Sequence, residues 1–188
     1  MRILRWAQRG LFGVAALTLG YCGFMILDAW SFQRMERRQF EELLSDRQQP
    51  KAVGSARAES GGLIGSIEIA RLGLSVIVME GTSSTTLRRA AGHIAGTALP
   101  GESGNIGISG HRDTFFRPLR NIRRDDVITV TTLRGEYRYR VVSTKVVGPA
   151  EVGVLGPSKR EVLTLVTCYP FYFVGSAPDR FIVRAERL

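Results

Sequence analysis

Cysteine is nearly absent: the 188-residue chain has two, Cys22 and Cys168. That excludes a disulfide-rich scaffold and a cysteine-based zinc module. No Cys-x-x-Cys pair occurs, which argues against a dithiol oxidoreductase. Histidine is as scarce, so imidazole chemistry has only His93 and His111 to draw on. No acidic cluster suggests a calcium site, and neither a metal nor a cofactor is expected. Negative charge is in deficit: 17 Asp and Glu stand against 26 Lys and Arg, for a formal net charge of +9. Arginine supplies 23 of those cations and lysine 3. The arginines are spread along the chain rather than clustered with aromatics, so no nucleic-acid partner is expected. The rest of the composition, 44% hydrophobic and 23% charged, excludes a mainly disordered or collagen-like chain. The length fits one domain with a short appendage.

The hydrophobic residues are unevenly placed. Leu11 to Leu27 reads LFGVAALTLGYCGFMIL, 17 residues without a charge. A membrane span needs about 20 apolar residues, with a lower limit near 17. Arg2, Arg5 and Arg9 precede the run and Asp28 closes it. Basic residues ahead of a first span favour an N-terminus in the cytoplasm, although Arg34, Arg37 and Arg38 on the far side oppose that bias. A cleaved signal peptide is the alternative, but its apolar core is usually about 7–15 residues and ends in a small-x-small site. The run is longer here and passes into Asp28-Ala29-Trp30. A buried core helix fits poorly with an extreme N-terminal position between basic flanks. The expected organisation is a cytoplasmic 1–10, a signal-anchor at 11–27, a stalk and linker over 28–62, and an exported domain over 63–188. Helix formers continue to about Ser45, and Pro50 with the small residues of 54–62 predict a flexible tether after it.

From Leu63 onward the pattern is that of short strands. Seven runs stand out, at 64–69, 74–79, 105–109, 126–131, 136–147, 161–168 and 180–185. Short helical turns are predicted at Ser84–Ala90 and Phe115–Ile122, the second capped by Asp113 or Thr114. Strands at such spacing predict a mainly antiparallel barrel or sandwich, with any site on its loops.

Cys22 lies inside the apolar span and Cys168 in the exported domain, so the two cannot pair. An unpaired thiol outside the membrane is either reactive or buried and inert. Cys168 ends the strand-forming run Val162 to Cys168, which Tyr169-Pro170 terminates. If the runs at 161–168 and 180–185 are antiparallel neighbours, Arg180 lies beside Cys168. A guanidinium there favours the thiolate and can hydrogen-bond an oxyanion formed by attack of sulfur on a carbonyl. Such a nucleophile also needs an acid for its leaving group. His111 follows a strand end and Gly110, while His93 sits in a glycine-rich loop. Spacing does not choose between them, and the strand-end position favours His111. A non-catalytic, membrane-tethered binding module with an incidental cysteine is the rival reading.

TLVTC at 164–168, GHRDTFFRPL at 110–119 and DRFIVRA at 179–185 together resemble the three motifs of the sortases, in the order His, Cys, Arg. GHIAGTALPGESGN at 92–105 resembles the region ahead of the His, and HRDTFF and TCYPF look most like the class D group. The resemblance covers about 63–188. It implies a closed eight-stranded β-barrel held outside the cytoplasmic membrane by an N-terminal transmembrane helix, and a cysteine transpeptidase activity. The implied partners are secreted proteins with a C-terminal LPxTG-like sorting signal, and an amine acceptor on a cell-wall precursor or a protein lysine. Carried over by residue, Cys168 is the nucleophile, His111 the acid and base, and Arg180 the oxyanion or backbone ligand. Thr167, Tyr169, Phe171 and His93 stand as candidate substrate-binding residues. Packing beneath the loop is the alternative for the aromatics, and a structural role the alternative for His93. The eighth strand that the resemblance requires is expected near 151–155.

Overall fold

The computed structural model of the protein describes residues 2–46, 62–173 and 175–188. The tether expected beyond Ser45 lies mostly outside the described residues. The chain opens with a single helix, α1 (Arg2–Asp46), which carries the apolar run and continues past it. Among the described residues it is the one helix long and apolar enough to cross a membrane. None of its apolar window is covered by protein, and Leu11, Phe12, Leu17, Leu19 and Phe24 all stand exposed. An uncovered apolar surface of that length needs a non-aqueous neighbour.

Eight strands follow: β1 (Leu63–Ile69), β2 (Leu74–Glu80), β3 (Ala91–His93), β4 (Asn105–Ser109), β5 (Val127–Thr132), β6 (Gly135–Val147), β7 (Val162–Tyr169) and β8 (Asp179–Arg187). They close into a barrel in the order β1-β2-β3-β4-β7-β8-β6-β5. The β2–β3 and β4–β7 pairs are parallel and the others antiparallel. Side chains on a strand alternate between two faces. Ile67 and Ile69, Val76 and Val78, Ile106 and Ile108, Ile128 and Val130, and Leu163 and Leu165 thus fill the interior from five strands. Phe116 and Leu119 join the same core from the segment after β4.

The eighth strand is β3, not the segment near 151–155, where Val152–Leu155 forms a 3-10 turn instead. Three residues are too few to show alternation, and a central glycine hides the strand further. That glycine has a reason: a Cβ on Gly92 would lie 2.3 Å from the carbonyl oxygen of Gly81. The helix α2 (Ser84–Arg89) forms where expected, with the Ser83 hydroxyl accepting from the Thr86 amide. The second predicted helix is a shorter 3-10 turn, Arg117–Asn121, and no side chain caps it. Asp113 and Thr114 precede it within a turn nucleated by the His111 carbonyl, which accepts from the Phe116 amide at 3.0 Å.

Residues 28–40 of α1 lie against the barrel. Strand β3 covers β2 only from Val78 onward, which leaves the Ile77 amide on an open edge. Gln33 covers it: its Oε1 accepts from the Ile77 amide at 3.0 Å, while its Nε2 donates to the Arg89 carbonyl at 2.6 Å. Asp28 accepts two hydrogen bonds from the Arg89 guanidinium, at 2.8 and 3.0 Å. Phe40 is 3% exposed, and Phe32 packs on Ile77, Met79 and Ala90.

Candidate active site

Strand pairing alone assembles the site. β4 and β7 run parallel with Ser109 opposite Val166. Two residues further along each chain come His111 and Cys168, so they leave the barrel at the same end and the same level. β7 and β8 run antiparallel, with Cys168 directly opposite Arg180. An imidazole, a thiol and a guanidinium from three adjacent strands therefore meet at one barrel end. They line a cleft of about 310 Å³, with Thr82, Leu87 and Ile94 on its other side.

Local contacts hold this arrangement. The Gly110 amide donates to the Val166 carbonyl at 3.1 Å. The Thr167 hydroxyl donates to the Gly110 carbonyl at 2.7 Å and is itself 2% exposed. The residue before His111 is thus stitched to both residues before Cys168. Gly110 also permits close packing, because a Cβ there would lie 2.8 Å from the Phe116 ring. Cys168 is half-buried and unpaired, and His111 is exposed. Arg180 donates from Nη1 to the carbonyls of Ala177 and Asp179, at 3.2 and 2.9 Å. No carboxylate pairs with it among the described residues, so the rest of its fork is open to a ligand in the cleft. A thiol beside an uncompensated guanidinium and an imidazole has the groups that acyl transfer through sulfur requires.

Of the other candidates, Thr167 lines the cleft, though its hydroxyl is already used by Gly110. Tyr169 and Phe171 lie outside the lining. They form an aromatic cluster with Phe181, the Phe171 and Phe181 centroids lying 5.3 Å apart in an edge-to-face contact. Phe171 of the loop and Phe181 of β8 both pack on the barrel core, which fastens the start of this loop. His93 also lies outside the lining and is 3% exposed. Its Nδ1 is 2.8 Å from Glu80 Oε2, and its Nε2 is 2.9 Å from both the Ala98 carbonyl and Thr97 Oγ1. With both ring nitrogens engaged, His93 braces the β3–β4 connection.

Sequence reasoning passed over Arg112. Its side chain is 6% exposed and donates to three carbonyls, Pro170 at 3.0 Å, Phe173 at 2.7 Å and Gly175 at 3.0 Å. It ties the segment carrying His111 to the loop that joins Cys168 to Arg180. No sequence signal separates it from 22 other arginines, because its partners are backbone atoms some sixty residues away.

The sortase domain model matches residues 67–188. Sortase D of Bacillus subtilis is 32% identical to the chain, over 95% of this chain and 96% of the relative. Sortase A of Listeria monocytogenes is 30% identical over 61% of this chain and 53% of its own length. Among solved structures, a Clostridium perfringens Sortase D5 transpeptidase superposes with a TM-score of 0.67 at 27% identity, covering 84% of this chain and 96% of that one. A domain match over most of the barrel and a relative aligned along nearly the whole length agree: the chain belongs to the sortase family of cysteine transpeptidases.

Proposed function

We propose that Cys168, His111 and Arg180 carry out transpeptidation on an LPxTG-like sorting signal. The Cys168 thiolate attacks the carbonyl carbon of the Thr in the signal. Arg180 donates hydrogen bonds to the oxyanion of the tetrahedral intermediate, a charge best stabilised by donors already in place. The Thr–Gly bond breaks, the amine leaves with a proton from His111, and the Thr acyl group remains on sulfur as a thioester. An incoming amine, on a cell-wall precursor or a protein lysine, then gives a proton to His111 as it attacks the thioester. The new amide departs and the Cys168 thiolate is regenerated. Neither a metal nor a cofactor enters these steps.

The observation that carries this reading is the register: Cys168 opposite Arg180, and His111 level with Cys168. The reading also assigns residues 1–10 to the cytoplasm, 11–27 to a single membrane span, 28–62 to the connection and 63–188 to an extracytoplasmic catalytic domain. Three arginines before the apolar run support that orientation.

The test is intact mass spectrometry of the detergent-solubilised full chain with a panel of LPxTG-like peptides. Wild type should gain the mass of the acyl fragment at Cys168, and added amine should convert it to amide product. Cys168→Ala should gain nothing. An adduct that persists in Cys168→Ala, or a wild-type chain that alkylates at Cys168 yet accepts no peptide of the panel, would overturn the proposal.

A further inference from the structure

Beside the cleft runs a larger groove of about 620 Å³, formed where α1 meets the barrel. Its floor is apolar, from Met25, Ile26 and Trp30 of α1 and Phe115 of the barrel. Its rim is cationic, from Arg34, Arg37 and Arg88. No carboxylate lines it, and none of the three arginines makes an ion pair among the described residues. Arg34 lies 3.7 Å over the Trp30 ring, and Arg37 donates to the Ser75 hydroxyl at 2.9 Å. His111 lines this groove as well as the catalytic cleft.

We infer that the groove holds an anionic phospholipid of the bilayer that α1 crosses, its chains on the apolar floor and its phosphate among Arg34, Arg37 and Arg88. The inference rests on reading α1 as a membrane span. Met25 and Ile26 belong to the apolar run itself, so the floor continues the hydrocarbon region without a break. Arg34 lies seven residues past Leu27 on the same helix, about 10 Å along its axis at 1.5 Å per residue. The interfacial layer is roughly 5–8 Å deep, and an arginine side chain reaches back toward it while its stem stays on apolar surface. Three guanidinium groups with no carboxylate partner among the described residues, around an apolar trough, complement one phosphate and its acyl chains. Occupancy would seat the cleft, through His111, at the bilayer surface.

Trp30 reports on the groove directly, because the chain has two tryptophans and Trp6 can be removed by Trp6→Phe. The full chain carrying Trp6→Phe would be reconstituted in phosphatidylcholine vesicles. A fixed small fraction of the lipid would be brominated on its acyl chains, either as phosphatidylglycerol or as phosphatidylcholine. Brominated phosphatidylglycerol should quench Trp30 as though enriched about fivefold, the factor that one arginine near an anionic surface supplies. The preference should fall as salt rises. It should vanish in Arg34→Gln/Arg37→Gln/Arg88→Gln and persist in the charge-matched Arg124→Gln/Arg140→Gln/Arg160→Gln. Equal quenching by the two lipids, or loss of preference in both triple variants, overturns the lipid site while α1 remains a span. No quenching by either, with the chain released by alkaline carbonate, overturns the span and the site with it.

Discussion

Arg112 shows how a residue can shape the site without touching substrate. Each of its bonds joins a charged donor to a backbone carbonyl, a kind worth about 1.5–3 kcal/mol. Arg112→Gln should lower stability by about 2 kcal/mol or more, read as a shift in urea midpoint. It should also slow peptide cleavage by roughly a hundredfold, since displacing a reacting group by about 1 Å has that effect. Arg112→Lys keeps the charge but gathers its donors on one nitrogen in place of the separate Nη1 and Nη2 that reach these carbonyls, so it should not restore the rate. A cleavage rate untouched by Arg112→Gln would mean that the loop holds its place without this clamp. A second residue-scale consequence concerns pH. The Arg71 guanidinium hydrogen-bonds Asp126 and holds its carboxyl below the usual range, and the Arg123 amide adds to this. A carboxyl with a depressed pKa contributes stability above its unfolded value, near pH 4, and loses it as pH falls through the folded value. Asp126→Asn should therefore be less stable than wild type at pH 7, and the difference should shrink between about pH 4 and pH 2 in urea titrations. A difference that stays constant across that range would remove the charge from the explanation.

Among the elements, β2 is paired by β3 only from Val78 onward, and α1 completes its edge. An unsatisfied buried amide costs about 1–3 kcal/mol, so covering Ile77 with Gln33 matters to the barrel as much as to the helix. Gln33→Leu should raise hydrogen exchange at the Ile77 amide by tenfold or more, because about 1.4 kcal/mol corresponds to a factor of ten. Val130, on β5 at the opposite side of β1, should exchange as in wild type. Protection of Ile77 that survives Gln33→Leu would show that the strand edge is closed by something other than α1. The short helix α2 links the two regions: Leu87 faces the catalytic cleft, Arg88 the groove, and Arg89 holds Asp28.

At the scale of the whole molecule, the barrel closes on itself and takes no strand from α1. A chain of residues 62–188 should therefore fold. It loses the cover that Phe32 and Phe40 provide, and burying one such side chain is worth roughly 1.5–3 kcal/mol. The shortened chain should show a lower urea midpoint than the full chain and still form the acyl adduct with soluble peptide. Failure to fold would mean that α1 belongs to the core. Full retention of stability would mean that the docking of α1 contributes nothing.

Local pattern by itself determined the apolar helix and seven of the eight strands, and the motifs that resemble a family's singled out the three residues that meet at the barrel end. Each is a property of consecutive residues: a charge-free run, a two-residue alternation, or a motif at a strand terminus. Tertiary structure decided the rest. β3 is a strand only because β2 and β4 flank three residues that carry no alternation of their own. Phe171 packs on the barrel core, Tyr169 stacks on Phe181, and both ring nitrogens of His93 are engaged, and none of these contacts is written in consecutive residues. Arg112 and Gln33 act on backbone atoms tens of residues away, and a backbone amide or carbonyl leaves no trace in a sequence. The groove exists because two apolar surfaces, one on α1 and one on the barrel, leave a gap where they meet. No linear pattern encodes a gap between surfaces that only folding brings together.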